Sequence, residues 1–185
     1  MRSYLGMRLI AGLFSLALLA SCGTVSAPPE GEAVSIQKLL SDTNGRPYEC
    51  FGYEEETDSC AAIAKRVVRG NTLGYNMSVL VPGPNWQAVK VNIDLDFQIV
   101  DGRYCGNYKQ AEITSEGNLT PAQRSLLEEL MLAELLMMGD FCEGYLQTPS
   151  GTYYSVTSDR LGQVYWDSSV PVAFFARPKK LRLNL

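Results

Sequence analysis

Histidine is absent from all 185 residues of the chain. Its absence removes Ser-His-Asp and Cys-His nucleophile systems, imidazole metal ligands and the side chain that most often moves protons near neutral pH. No Cys-x-x-Cys spacing occurs among the five cysteines, so a zinc ribbon is excluded and no metal is expected. Glycines are numerous but form neither a G-x-x-x-x-G-K phosphate loop nor a G-x-S-x-G elbow, and EF-hand spacing is missing. No cofactor is therefore expected. Positive charge is also short: 16 Lys and Arg stand against 20 Asp and Glu. A phosphate-backbone binder needs a clustered basic face, so nucleic acid is excluded as a partner. The one basic cluster, Arg177, Lys179, Lys180 and Arg182, reads as a solvated terminal strand rather than a lipid-headgroup contact.

Long apolar runs are missing too. Leu9 to Ala20 is too short to span a bilayer, but it follows the basic residues Arg2 and Arg8 and leads into Leu19-Ala20-Ser21-Cys22. This arrangement resembles a bacterial lipoprotein lipobox. The resemblance implies cleavage after residue 21, and a diacylglyceryl thioether and an N-linked acyl chain on Cys22. Two or three chains hold a protein on a membrane, at about 0.8 kcal/mol per buried methylene. Gly23 and Thr24 follow the cysteine, with no aspartate, which resembles the pattern sorted to the outer membrane. The expectation is a signal peptide over 1–21, a lipidated tether over 22–34 and one periplasmic domain over 35–185. Removal of Arg2 and Arg8 leaves a formal charge of −6.

Cys50, Cys60, Cys105 and Cys142 then lie in an oxidising compartment and read as two disulfides. Three connectivities are open. Loop length favours Cys50 with Cys60 and Cys105 with Cys142.

Hydrophobic periodicity gives two strong elements. Val89, Val91, Ile93, Leu95, Phe97 and Ile99 alternate with polar residues, the period of a strand with one buried face. Flanking segments 75–81 and 103–114 complete an antiparallel meander, the second hairpin turning at Asp101-Gly102. Thr120, Pro121 and Gln123 start a helix that runs to about Met138 and stops at Gly139. Its residues Leu126, Leu127, Leu130, Met131, Ala133 and Met137 form one wide apolar face that suits the cover of a sheet. A short helix is expected over 35–41, a strand over 47–53 and a helix over 59–69, with a strand as the competing reading of the last. Short strands are expected after Cys142. The predicted fold class is α+β, an antiparallel sheet packed on one long helix.

Chemistry is sparse. Asp94 and Asp96 share one side of a strand and are the candidate carboxylates for an enzyme acting on cell-wall glycan. Residues two apart on a strand more often form a polar outer face. Glu54, Glu55, Glu56 and Asp58 have the oxygens for calcium but not the alternating ligand positions, so they read as a solvated hairpin tip. Seven aromatic residues fall between Tyr145 and Phe175. Of these, Tyr153, Tyr154, Tyr165 and Trp166 are the candidate binding face, because aromatic rings with polar handles suit protein and glycan surfaces.

Ser150-Gly151, Tyr154, Trp166 and Ala173 resemble the S-G…Y…W…A pattern of the membrane-bound C-type lysozyme-inhibitor lipoproteins. The resemblance spans residues 150–173 and implies that Ser150 reaches into a lysozyme active site. It departs where that family has a lysine soon after the tryptophan and this chain has Asp167-Ser168-Ser169.

The sequence thus points to a non-enzymatic, lipid-anchored protein on the periplasmic side of the outer membrane, binding an envelope protein or cell-wall glycan. Replacing Cys22 by Ser removes the acylated thiol. The variant should lose the lipid mass and leave the membrane fraction; a wild type without lipid mass overturns the anchor.

Overall fold

The computed structural model describes residues 29–183. The signal peptide, Cys22 and most of the tether lie outside the described residues. Among those described, ten strands join one sheet, and eight of them close into an antiparallel barrel. This corrects the α+β expectation. The alternation that marks a one-faced strand is satisfied when the sheet curls onto itself, so no helical layer is needed to cover it.

The barrel is built from β2 (Tyr48–Phe51), β4 (Ala62–Arg69), β5 (Thr72–Pro82), β6 (Ala88–Val100), β7 (Arg103–Gly106), β9 (Phe141–Gln147), β10 (Tyr153–Ser158) and β11 (Val164–Phe175). Neighbours run β9-β10-β11-β2-β4-β5-β6-β7, and β7 pairs back onto β9. The expected meander is present as β5, β6 and β7, with Asp101 and Gly102 both at positive φ as a type I′ hairpin requires. The segment expected as one strand over 103–114 divides into β7 and β8 (Glu112–Glu116), and both pair with the same edge of β6. A short β1 (Glu32–Val34) pairs with the far end of β9, so the last three residues of the expected tether belong to the sheet.

Residues 59–69 do not form a helix. They form β3 (Ser59–Cys60) and β4, where Ile63 and Ala64 are buried and Val67 and Val68 keep their β-branched stems extended. The basic tail is docked rather than free. β12 (Lys180–Leu181) pairs parallel to β3, Lys179 lies 2.7 Å from Asp58, and Arg182 donates to the Ser59 carbonyl.

The core is the barrel interior. Val89, Val91, Ile93, Leu95 and Phe97 point into it from β6 and meet Tyr75, Tyr104, Phe141 and Tyr145. Phe97 is the hub, with ring centroids 5.8 Å from Tyr75, 5.1 Å from Tyr104 and 5.6 Å from Phe141. Gly106 is fitted to that ring, since a Cβ there would stand 2.7 Å from Phe97 Cδ1. Helix α1 (Ile36–Asp42), capped by Ser35, inserts Ile36 and Leu39 into the same core and receives the Gly102 carbonyl at the Ile36 amide.

Helix α2 (Pro121–Met137) has the expected Thr120–Gln123 capping box, and Gly139 follows it at positive φ. Its packing differs from the expectation. Leu127, Met131 and Leu135 rest on the core cluster from outside, contacts are to β8 and the 3₁₀ turn Tyr108–Gln110, and no residue of the helix is buried.

Both disulfides join the expected partners, Cys50 with Cys60 and Cys105 with Cys142. Cys105 and Cys142 are directly opposed in the β7–β9 pairing that closes the barrel. Loop-entropy arguments assign about 4 kcal/mol to the longer loop and about 3 kcal/mol to the shorter. Replacing Cys105 and Cys142 by serine should lower the urea midpoint more than replacing Cys50 and Cys60; the reverse order would show that closure does not depend on the longer staple.

Candidate functional site

Three features stand out beyond the apolar core: a polar cluster inside the barrel, a polar wall outside it, and the outer side of α2.

Glu49 of β2 is fully buried. Tyr145 donates to its Oε1 at 2.6 Å and Tyr75 to its Oε2 at 2.7 Å. Tyr145 spends its only hydroxyl proton there, so in the 2.9 Å contact between Tyr104 and Tyr145 the donor is Tyr104. Arg66 of β4 places Nε 3.9 Å from Glu49 and its guanidinium 4.5 Å from the Phe174 ring centroid. Its far nitrogen donates to Thr43 Oγ1 and the Arg46 carbonyl, while Nε and Nη1 find no hydrogen-bond partner. Burial pushes the Glu49 carboxyl up, and Arg66 with the two tyrosines offsets part of that. A second inward carboxyl, Glu143 of β9, receives Ser155 Oγ. Burial, with the nearby Glu49 charge adding to it, raises this group to about 7, against the hydrogen bond from Ser155.

This cluster was not legible in the sequence, because a glutamate at an inward strand position looks like an outward one. Neither Glu49 nor Glu143 lines the two surface depressions described next, so the arrangement is an internal strut.

The outer wall of β4, β5 and β6 carries two contiguous depressions of about 280 and 370 Å³, which share Lys65 and Asn76. Asp94 and Asp96 stand side by side on one strand of this wall. Asn76 donates to Asp94, and Arg69 lies 3.7 Å from Asp96. Farther along, Ser78 donates to Asn92, and Asn92 to Glu116. Both carboxylates are thus engaged by wall neighbours, and they line the first depression from the same strand, not from its two sides. The acidic loop 54–58 is closed by Tyr53 and Lys179, both on Asp58; among the described residues no group of three or more carboxylates or cysteines has the geometry of a metal site.

The four candidate aromatic residues are not brought onto one face. Tyr153 is half-buried against Phe174 and donates to Asp42, and Tyr154 is also half-buried. Tyr165 and Trp166 are both exposed, although adjacent strand residues usually alternate. The cause is an irregularity in which Ser155 pairs with Val170 but Thr157 with Tyr165, so residues 166–169 protrude from the wall. Ser150 occupies the β9–β10 turn, at the other end of β10 from Trp166.

The outer side of α2 is the largest surprise. Leu126, Leu130 and Met137 are 57, 59 and 81 % exposed. With Ala122 and Ala133 they recur at helical spacing, on a different side of the helix from Leu127, Met131 and Leu135. Met138, just beyond the helix, is also half-exposed, but it falls in the row of Met131 and Leu135. There the Arg160–Asp140 ion pair, 3.3 Å, ties in the β10–β11 turn with its fully exposed Leu161. The expected single face is therefore two faces, of which one is docked and one is left uncovered among the described residues. Only the total apolar content of the helix signalled this in the sequence.

No protein-family model matches the chain, and no curated protein or solved structure matches it.

The raised Glu143 carboxyl has a consequence for stability. Between its ordinary value near 4.5 and about 7, the folded chain holds a proton that the unfolded chain has released. Stability therefore falls as pH rises through that window, by about 3 kcal/mol in all. Glu143→Gln keeps the Ser155 contact without the charge. It should be more stable than wild type at pH 8 and show a shallower thermal-unfolding slope between pH 5 and 7; identical slopes would contradict a half-buried, titrating Glu143.

Proposed function

We propose that this protein is a lipid-anchored component of the bacterial envelope, held through Cys22 at the periplasmic side of the outer membrane. Its barrel binds or scaffolds another envelope component without catalysing a reaction. The observation that carries this reading is the free apolar side of α2. Soluble domains seldom leave several large aliphatic side chains in one exposed row, and such rows mark interaction surfaces. The barrel supplies a rigid base, because α2 rests on β8, the 3₁₀ turn and the outside of a core that is closed and stapled.

The polar wall supports the non-catalytic reading. Asp94 and Asp96 lie on one strand of an open surface and are each engaged by a neighbour, whereas hydrolysis of a glycan needs two acids on opposite sides of the scissile bond.

Leu126→Glu with Leu130→Glu tests the surface directly. Both positions are exposed, so the double variant should unfold within about 0.5 kcal/mol of wild type. A photo-crosslinking side chain at Ala133 should capture an envelope component in intact cells, and the double variant should abolish that product. The same crosslinker at Asn92 on the polar wall should capture nothing. An Ala133 product that survives the two glutamates, or no product at all, contradicts the proposal.

A further inference from the structure

The free side of α2 also carries information about its occupant. We propose that it receives a basic amphipathic helix of a protein partner, an assignment that rests on the binding role given to this surface above. Shape is the first argument. Ala122 and Ala133 leave hollows between Leu126, Leu130 and Met137, and a row of large and small side chains along a helix is matched by the ridge of another helix.

Charge is the second. Glu129 and Glu134 border the stripe and are exposed. The helix has one basic residue, Arg124, which lies on the barrel side in the row of Leu127 and Met131. Glu128 is turned inward as well, its carboxylate taking the Ser115 amide and hydroxyl at 2.8 Å each. Along the helix the free rim therefore carries acidic charge alone, and Arg160 at its far end is already paired with Asp140, on a domain that is itself acidic. A second copy would bring acids against acids, and an anionic lipid surface would be repelled in the same way. A helix with lysines or arginines beside its apolar row complements both the stripe and the rim.

Position is the third. β1 joins the domain to the tether at the Gln147 end of β9, whereas α2 delivers the chain to the Phe141 end. These ends are about 20 Å apart along a seven-residue strand. A protein anchored through Cys22 thus carries the Met137 end of the stripe away from its point of attachment.

The test uses the full chain as cells process it, held in phosphatidylcholine nanodiscs. It is titrated with two synthetic helical peptides of about eighteen residues that share a leucine face and differ in lysine or glutamate flanks. The lysine peptide should bind about tenfold or more tightly than the glutamate peptide, and salt should weaken it. Glu129→Lys with Glu134→Lys should invert the preference, and Leu126→Glu with Leu130→Glu should remove binding of both. Equal binding of the two peptides through Leu130, or a lysine preference that survives the charge reversal, overturns the basic-helix assignment and leaves the binding role standing. Binding of neither peptide overturns both. Leu130-dependent co-purification of two differently tagged copies assigns the stripe to a second copy, and Leu130-dependent partition onto phosphatidylglycerol vesicles assigns it to lipid. Either result overturns the proposal.

Discussion

Three residue pairs close this molecule: Tyr104 with Glu143, Cys105 with Cys142 and Gly106 with Phe141. They join β7 to β9, and the disulfide sits at the middle pair. Without them the sheet has two free edges and its inner face lies open to water. With them, a strand such as β6 needs no helix over its apolar side, because the opposite wall supplies the cover. β1 and β8 extend the two walls that flank β7, and α2 leans against the remaining gap.

Closure also fixes the electrostatics of the interior. Glu49, Arg66 and Glu143 are tolerable only because tyrosine hydroxyls and a serine hydroxyl answer the acids, and an aromatic face lies under the guanidinium. Burial of a charge is costly, and partners recover most but not all of the cost. The two guanidinium nitrogens without hydrogen-bond partners and the raised carboxyls are what remains. The same chain of contacts ties β2, β4, β5, β7 and β9 to one another through side chains, which makes the barrel a stiff support for anything docked on it.

Local chemistry made much of the secondary structure legible. Alternation over Val89–Ile99, the Asp101-Gly102 turn and the Thr120–Gln123 capping box are each settled by residues within a few positions of one another. The misreadings are non-local. Ser59 to Arg69 satisfies a helical count as well as a strand until β2 and β5 pair on either side of it. Closure depends on the β7–β9 register, across 37 residues of sequence. Glu49 sits between Tyr48 and Cys50 with nothing local to mark it as inward, and α2 carries apolar residues on opposite sides that periodicity merges into one face. In a regular strand the aromatic pair Tyr165-Trp166 would divide between core and solvent, and the strand irregularity beside it exposes both.

What emerges is a barrel that holds itself together and a helix that does not contribute equally with both faces. This division of labour makes α2 the surface on which a partner acts, and it is open to direct measurement. Native-state amide hydrogen exchange on the purified protein should show the middle of α2 exchanging about a hundredfold or more faster than β5 and β6, as expected for an element docked by one half-buried row. Protection of α2 equal to that of β6 would make the helix an integral wall of the core, and the free stripe could not then be read as a binding surface.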